Sequence, residues 1–99
     1  MRRRLPNRRG LELVDFEHAR ISYTAGVGRF EDGRLAEIFL NTCKHGTAAD
    51  VNARDAAVAA SLLLQHGCPI ETLRRALTRN ADGSASGPLA RALDFLALP

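Results

Sequence analysis

The chain has 99 residues, 45% of them apolar, and a formal net charge of +3. That length is expected to fold as one domain with a real core, and it leaves no room for a self-sufficient multidomain enzyme. No apolar run approaches the roughly 18 residues of a membrane span, and the basic start is not followed by an apolar stretch, so neither an anchor nor a secretory signal is expected.

The charge is unevenly spread. Residues 1–10 hold Arg2, Arg3, Arg4, Arg8 and Arg9 and no acid, whereas the rest carries nine bases against eleven acids. The expected organisation is a flexible basic leader over 1–10 and a single, nearly neutral domain over 11–99. Clustered arginines suit anionic partners, so nucleic-acid binding through the leader is one reading to test. Pro6 argues against a continuous basic helix there. Cys43 and Cys68 are too few for a disulfide scaffold, which favours a reducing, cytoplasmic setting.

Three short strands are predicted first. Leu11–Phe16 mixes apolar and acidic residues. Across 20–30, Ile21, Tyr23, Ala25 and Val27 alternate with Ser22, Thr24, Gly26 and Gly28, the period of two that a strand imposes. Glu31-Asp32-Gly33-Arg34 supplies hairpin turn chemistry. Leu35–Thr42 follows, with Ala36, Ile38 and Leu40 alternating against Glu37, Phe39 and Asn41. Short links imply an antiparallel meander. A three-stranded sheet has two open edges, and Glu12, Asp15, Glu17 and Arg20 are placed to protect one of them. The same exposure makes a homodimer, or docking on a larger partner, an expectation.

The period then changes. Thr47 reads as the N-cap of a helix over 48–66, with Asp50 in its first turn and Gly67 as its left-handed stop. Val51, Val58, Leu62 and Leu63 mark the stripe expected to face the core. Pro69 is expected at the first position of a second helix, with Ile70, Leu73, Ala76 and Leu77 buried and Arg74, Arg75 and Arg79 in water. After a polar loop over 80–87, Pro88 opens a third helix with Leu89, Ala92, Leu93 and Leu96 inward. The expected class is α+β: a three-stranded antiparallel meander followed by three helices on one sheet face.

Chemistry concentrates at the strand-to-helix join. Lys44, His45, Gly46 and Thr47 stand before a long helix whose N-terminus offers free amides and partial positive charge, a setting suited to a phosphate or carboxylate. The Walker spacing is missing, so the loop is not a P-loop. Cys43, His45, His66 and Cys68 are metal-ligand types at opposite ends of one helix. About 19 helical residues separate the pairs by roughly 28 Å, so zinc is conceivable only across a dimer and no metal is expected. Cys43 lacks an orienting group, and the carboxylates are scattered. No catalytic residue and no cofactor is expected.

The segments Gly33-Arg34-Leu35-Ala36-Glu37-Ile38-Phe39-Leu40-Asn41, Lys44-His45-Gly46-Thr47 and Ser61-Leu62-Leu63-Leu64-Gln65-His66-Gly67-Cys68-Pro69-Ile70-Glu71-Thr72-Leu73 resemble the TSCPD domain family. Such domains occur at the C-terminal end of adenosylcobalamin-dependent ribonucleotide reductases and as small stand-alone proteins. The likeness runs from about Leu5 to Leu96. Cys43 and Cys68 depart from the family pattern, which weakens any metal or thiol role there, whereas Lys44, Gly46 and Thr47 match its loop. The resemblance implies a non-catalytic accessory or binding module whose partner is a reductase chain or a phosphate-bearing ligand. A split component of a ribonucleoside-diphosphate reductase is the alternative it implies, with catalysis supplied by a separate subunit.

Overall fold

Residues 11–96 are described by the computed structural model of the chain. Three strands, β1 (Leu11–His18), β2 (Ile21–Arg29) and β3 (Leu35–Thr42), pair antiparallel in the order β1-β2-β3. They are followed by α1 (Ala48–Gln65), α2 (Ile70–Ala76) and α3 (Pro88–Leu96). The α+β architecture expected from the sequence is therefore the observed one.

The alternation in β2 and β3 sets the two sheet faces. Val27 pairs with Ile38 and Ala25 with Leu40, and all four are buried. Val14 and Phe16 join them from β1, opposite Ala25 and Tyr23. Among the described residues, helices cover this face alone. Ala53, Ala57, Ala60 and Leu64 of α1 and Leu89, Ala92, Leu93 and Leu96 of α3 complete the core, and Phe95 meets Phe16 edge-on with ring centroids 5.5 Å apart.

The observed face of α1 corrects the expected one. Val51, Val58, Leu62 and Leu63 are exposed, and the buried stripe consists mainly of alanines. The reason is steric. Alanine faces let α1 lie close against β3, and that approach turns the larger side chains to the outside. Closeness also allows α1 to satisfy the free edge of β3. Ser61 Oγ accepts from the Ile38 amide and donates to the Ile38 carbonyl, both at 2.9 Å, and Gln65 Nε2 donates to the Ala36 carbonyl. A side chain thus replaces the missing fourth strand. Ser61→Ala is expected to lower unfolding stability by about 1 kcal/mol, read by urea titration, because it strips one strand residue of both partners.

Two turns differ in legibility. Gly33 adopts φ 90° in the β2–β3 link, as its place in the turn requires. The β1–β2 link is Ala19-Arg20, with φ 51° and 66°. Positive φ at both central residues is the type I′ signature, a turn that favours Asn-Gly. Strand β1 therefore extends to His18, two residues past the expected end. Ala19→Asn combined with Arg20→Gly is expected to raise stability by roughly 1 kcal/mol by relieving left-handed strain at non-glycine residues. Thermal unfolding of the double variant checks it.

Helix α2 begins at Ile70, with Pro69 at the cap position (φ −65°) and not inside the helix. Leu73 is its buried residue, whereas Ala76, expected inside, is exposed. Arg74 and Arg79, expected in water, instead converge on Asp94 of α3. Arg74 Nε donates at 3.1 Å, and both terminal nitrogens of Arg79 donate to the same carboxylate. Arg79, followed by Arg74, holds the Asp94 carboxyl below its ordinary range. This ion cluster ties the polar loop to the last helix.

Candidate functional site

The β3–α1 junction is built around Asp50. Thr47 caps α1 as expected, its hydroxyl accepting from the Asp50 amide at 3.2 Å. The Asp50 side chain then folds back under the loop. Its carboxylate accepts from the Thr42 amide at 2.9 Å, the Gly46 amide at 3.3 Å and Arg54 Nε at 2.9 Å. Gly46 turns at φ 78° to bring its amide round. Asp50 is only 2% exposed. The Thr42 amide is the strongest influence on its carboxyl and, with Arg54 and the Gly46 amide, lowers it to about 2 against the opposing effect of burial.

The structure brings the four loop candidates together, but around an anion that belongs to the chain. Lys44, His45, Gly46 and Thr47 are all exposed. The Lys44 carbonyl accepts from the hydroxyls of Thr42 and Thr47, and His45 Nδ1 lies 3.0 Å from Arg54. Asp50 uses the Gly46 amide that an external phosphate would need. The sequence marks Asp50 as an acid in the first turn, a partner for the helix dipole; its bond back to Thr42 joins residues eight apart through the fold.

The metal-ligand candidates stay apart. Cys43 and His45 stand at the start of α1 and His66 and Cys68 at its end, and both cysteines are free. Among the described residues no three His, Cys, Asp or Glu groups converge as a metal site. The arginines of the leader, Arg2, Arg3, Arg4, Arg8 and Arg9, lie outside the described residues.

What the sequence did not foreshadow is the second face of the sheet. No helix covers it. Leu13, Gly26 and Phe39 form one row across the three strands, and Leu13 and Phe39 are 69% and 50% exposed. Because α1 runs alongside the β3 edge, Val58 and Leu62 turn toward the same side, and these four residues line a hollow of about 520 Å³. Six large apolar residues are exposed among those described, and four of them meet here. Such clustering marks an interaction surface better than scattered exposure does. The hollow has an apolar floor, with Arg54 and Asn41 at one end.

The described residues thus form an α+β domain with an exposed apolar patch and a junction whose anion is its own Asp50. Comparison with known proteins places the chain beside two larger relatives. The chain is 36% identical over 77 residues to the vitamin B12-dependent ribonucleotide reductase of Agrobacterium fabrum, covering 78% of this chain and 6% of the reductase. It is 41% identical over 52 residues to the same-named protein of Bradyrhizobium diazoefficiens, covering 52% of this chain and 4% of that one. The chain is thus related to a segment of these reductases and spans less than a tenth of their length. No family model matches the chain, and no solved structure matches it. No helix of the described residues is long and apolar enough to cross a membrane.

Proposed function

We propose that the protein is a non-catalytic accessory module of the TSCPD type, acting with a B12-dependent ribonucleotide reductase by binding its polypeptide. The observation that carries this reading is the likeness to the Agrobacterium reductase, which takes in 78% of this chain and only 6% of that protein. A segment so small beside the whole reductase fits an accessory part better than a complete catalytic unit. The test is a pair of measurements with purified components. Alone, with ribonucleotide, reductant and adenosylcobalamin, the protein is expected to form no deoxyribonucleotide. Mixed with a reductase shortened by the matching segment, it is expected to bind without changing turnover.

The split-component reading predicts a different result in the second tube, namely restored deoxyribonucleotide synthesis. Phosphate binding at Lys44–Thr47 is a separate proposal, supported by the exposed lysine beside a helix N-terminus and opposed by the resident Asp50 carboxylate. Amide shifts at residues 44–49 on adding inorganic phosphate would support it; a flat titration would end it. Nucleic-acid retention through the leader is tested by deleting residues 1–10 at moderate salt.

A further inference from the structure

We infer that the open sheet face is the interface of a symmetric dimer, its occupant being a second copy of this chain. The argument is self-complementarity, in shape and in charge. A face-to-face pair related by a two-fold axis places one patch against itself, so every contact occurs twice. Take that axis along the strands, in the plane of the interface, between β2 and β3. Column β2 of one copy then faces column β3 of the other, and β1 faces the exposed flank of α1.

The residues in those columns match. Gly26 is buried between the exposed Leu13 and Phe39, so Phe39 of the second copy packs over this low point of the row, against the side chains that flank it. Leu13 meets Val58 of the second copy, apolar against apolar. One row along, Thr24 pairs with Asn41 within its own sheet and Asp15 pairs with Thr24. Across the axis Thr24 faces Asn41 of the second copy, two hydrogen-bonding groups. Asp15 faces Arg54 of the second copy, acid against base.

The position of Arg54 follows from the direction of α1. Asp50 bonds to Thr42 and Ser61 to Ile38, so α1 runs back along β3. Arg54 therefore lies level with Asn41, and Val58 near Phe39. Arg54 lines the hollow; its Nε bonds to Asp50 and one terminal nitrogen meets His45, yet the side chain is 45% exposed, so a further acid can approach the guanidinium from outside. Aligned sheets pack about 10 Å apart, which interdigitated Phe39 and Leu13 side chains fill. This arrangement does not rest on the reductase reading, because it uses only the geometry of the face.

The test uses full-length chains with Leu13→Asp or Val58→Lys, both at exposed positions where the fold has little to lose. Wild-type protein is expected to sediment as a dimer, and each variant alone as a monomer, with association weakened at least ten-fold. Mixing the two variants is expected to restore a dimer containing one of each. In that pair Leu13→Asp faces Val58→Lys, while the other symmetry-related contact keeps its native Leu13 and Val58. Circular dichroism confirms that both variants are folded. A monomeric wild type, variants that still self-associate, or a mixture that stays monomeric would overturn the proposal. So would a face that Leu13→Asp shows to be needed for reductase binding in a protein that is monomeric by itself, since the occupant would then be the reductase.

Discussion

Asp50→Asn is expected to lower Tm by about 10 °C or more, the scale on which a domain of this size responds to the loss of several hydrogen bonds. The carboxylate holds the Thr42 amide, the Gly46 amide and Arg54 at once. An asparagine side chain keeps one acceptor and turns an NH2 group toward donors, so at least one buried amide loses its partner. The pH dependence has a definite sign. The Asp50 carboxyl is lowered to about 2 from an ordinary 3.8. Its contribution is therefore complete above about pH 4 and fades as pH falls toward 2. Unfolding measured across pH 2–7 should show that loss in the native protein and a flatter profile in Asp50→Asn. The variant should also release the Lys44–Thr47 loop, read as faster amide exchange at Gly46.

The second large effect is expected at Ala60. Ala60→Leu is predicted to cost about 1–3 kcal/mol from overpacking, because Ala60 is buried in the interface between α1 and the sheet. The damage extends beyond the clash. Raising α1 separates Ser61 from Ile38 and Gln65 from Ala36, reopening the β3 edge to water and to other strands. Val58→Ala provides the contrast. Val58 is 56% exposed, so its truncation should leave Tm within a few degrees of native while weakening the proposed dimer. A helix whose large residues faced the core would show the opposite pattern, with Val58→Ala costly and Ala60→Leu tolerated.

That contrast also shows where the sequence was legible. Period two placed β2 and β3 and their faces correctly, because Ile21, Tyr23, Ala25 and Val27 leave little choice of side. The cap at Thr47 and the stop at Gly67 were readable from local chemistry, and both are observed. The inward face of α1 was not readable by size alone. A helix packed tightly on a strand edge buries its small residues, so Val51, Val58, Leu62 and Leu63, which size alone points to the core, form part of the exposed surface. Ala19-Arg20 carries none of the usual chemistry of its turn, so the end of β1 was drawn short. The Asp94 cluster with Arg74 and Arg79 joins residues up to twenty apart in sequence, a pairing that no local pattern announces.

The candidate site divides in the same way. The loop at Lys44–Thr47 was visible as a group of residues, but its resident carboxylate was not. The row Leu13, Gly26 and Phe39 was visible only as alternation. Its meaning depends on there being no covering helix among the described residues and on Val58 turning to the same side. Exposure of that kind is a property of packing, which sequence periodicity does not encode.

The proposed role is tested most directly by equilibrium binding of this protein to two forms of a B12-dependent ribonucleotide reductase, one full-length and one shortened by the segment that the chain resembles. An accessory module should bind the shortened form with micromolar or better affinity and leave its turnover unchanged, and should bind the full-length form far less, because the reductase's own segment already fills the place. No binding to either form, with the protein folded and the reductase active, would contradict the assignment.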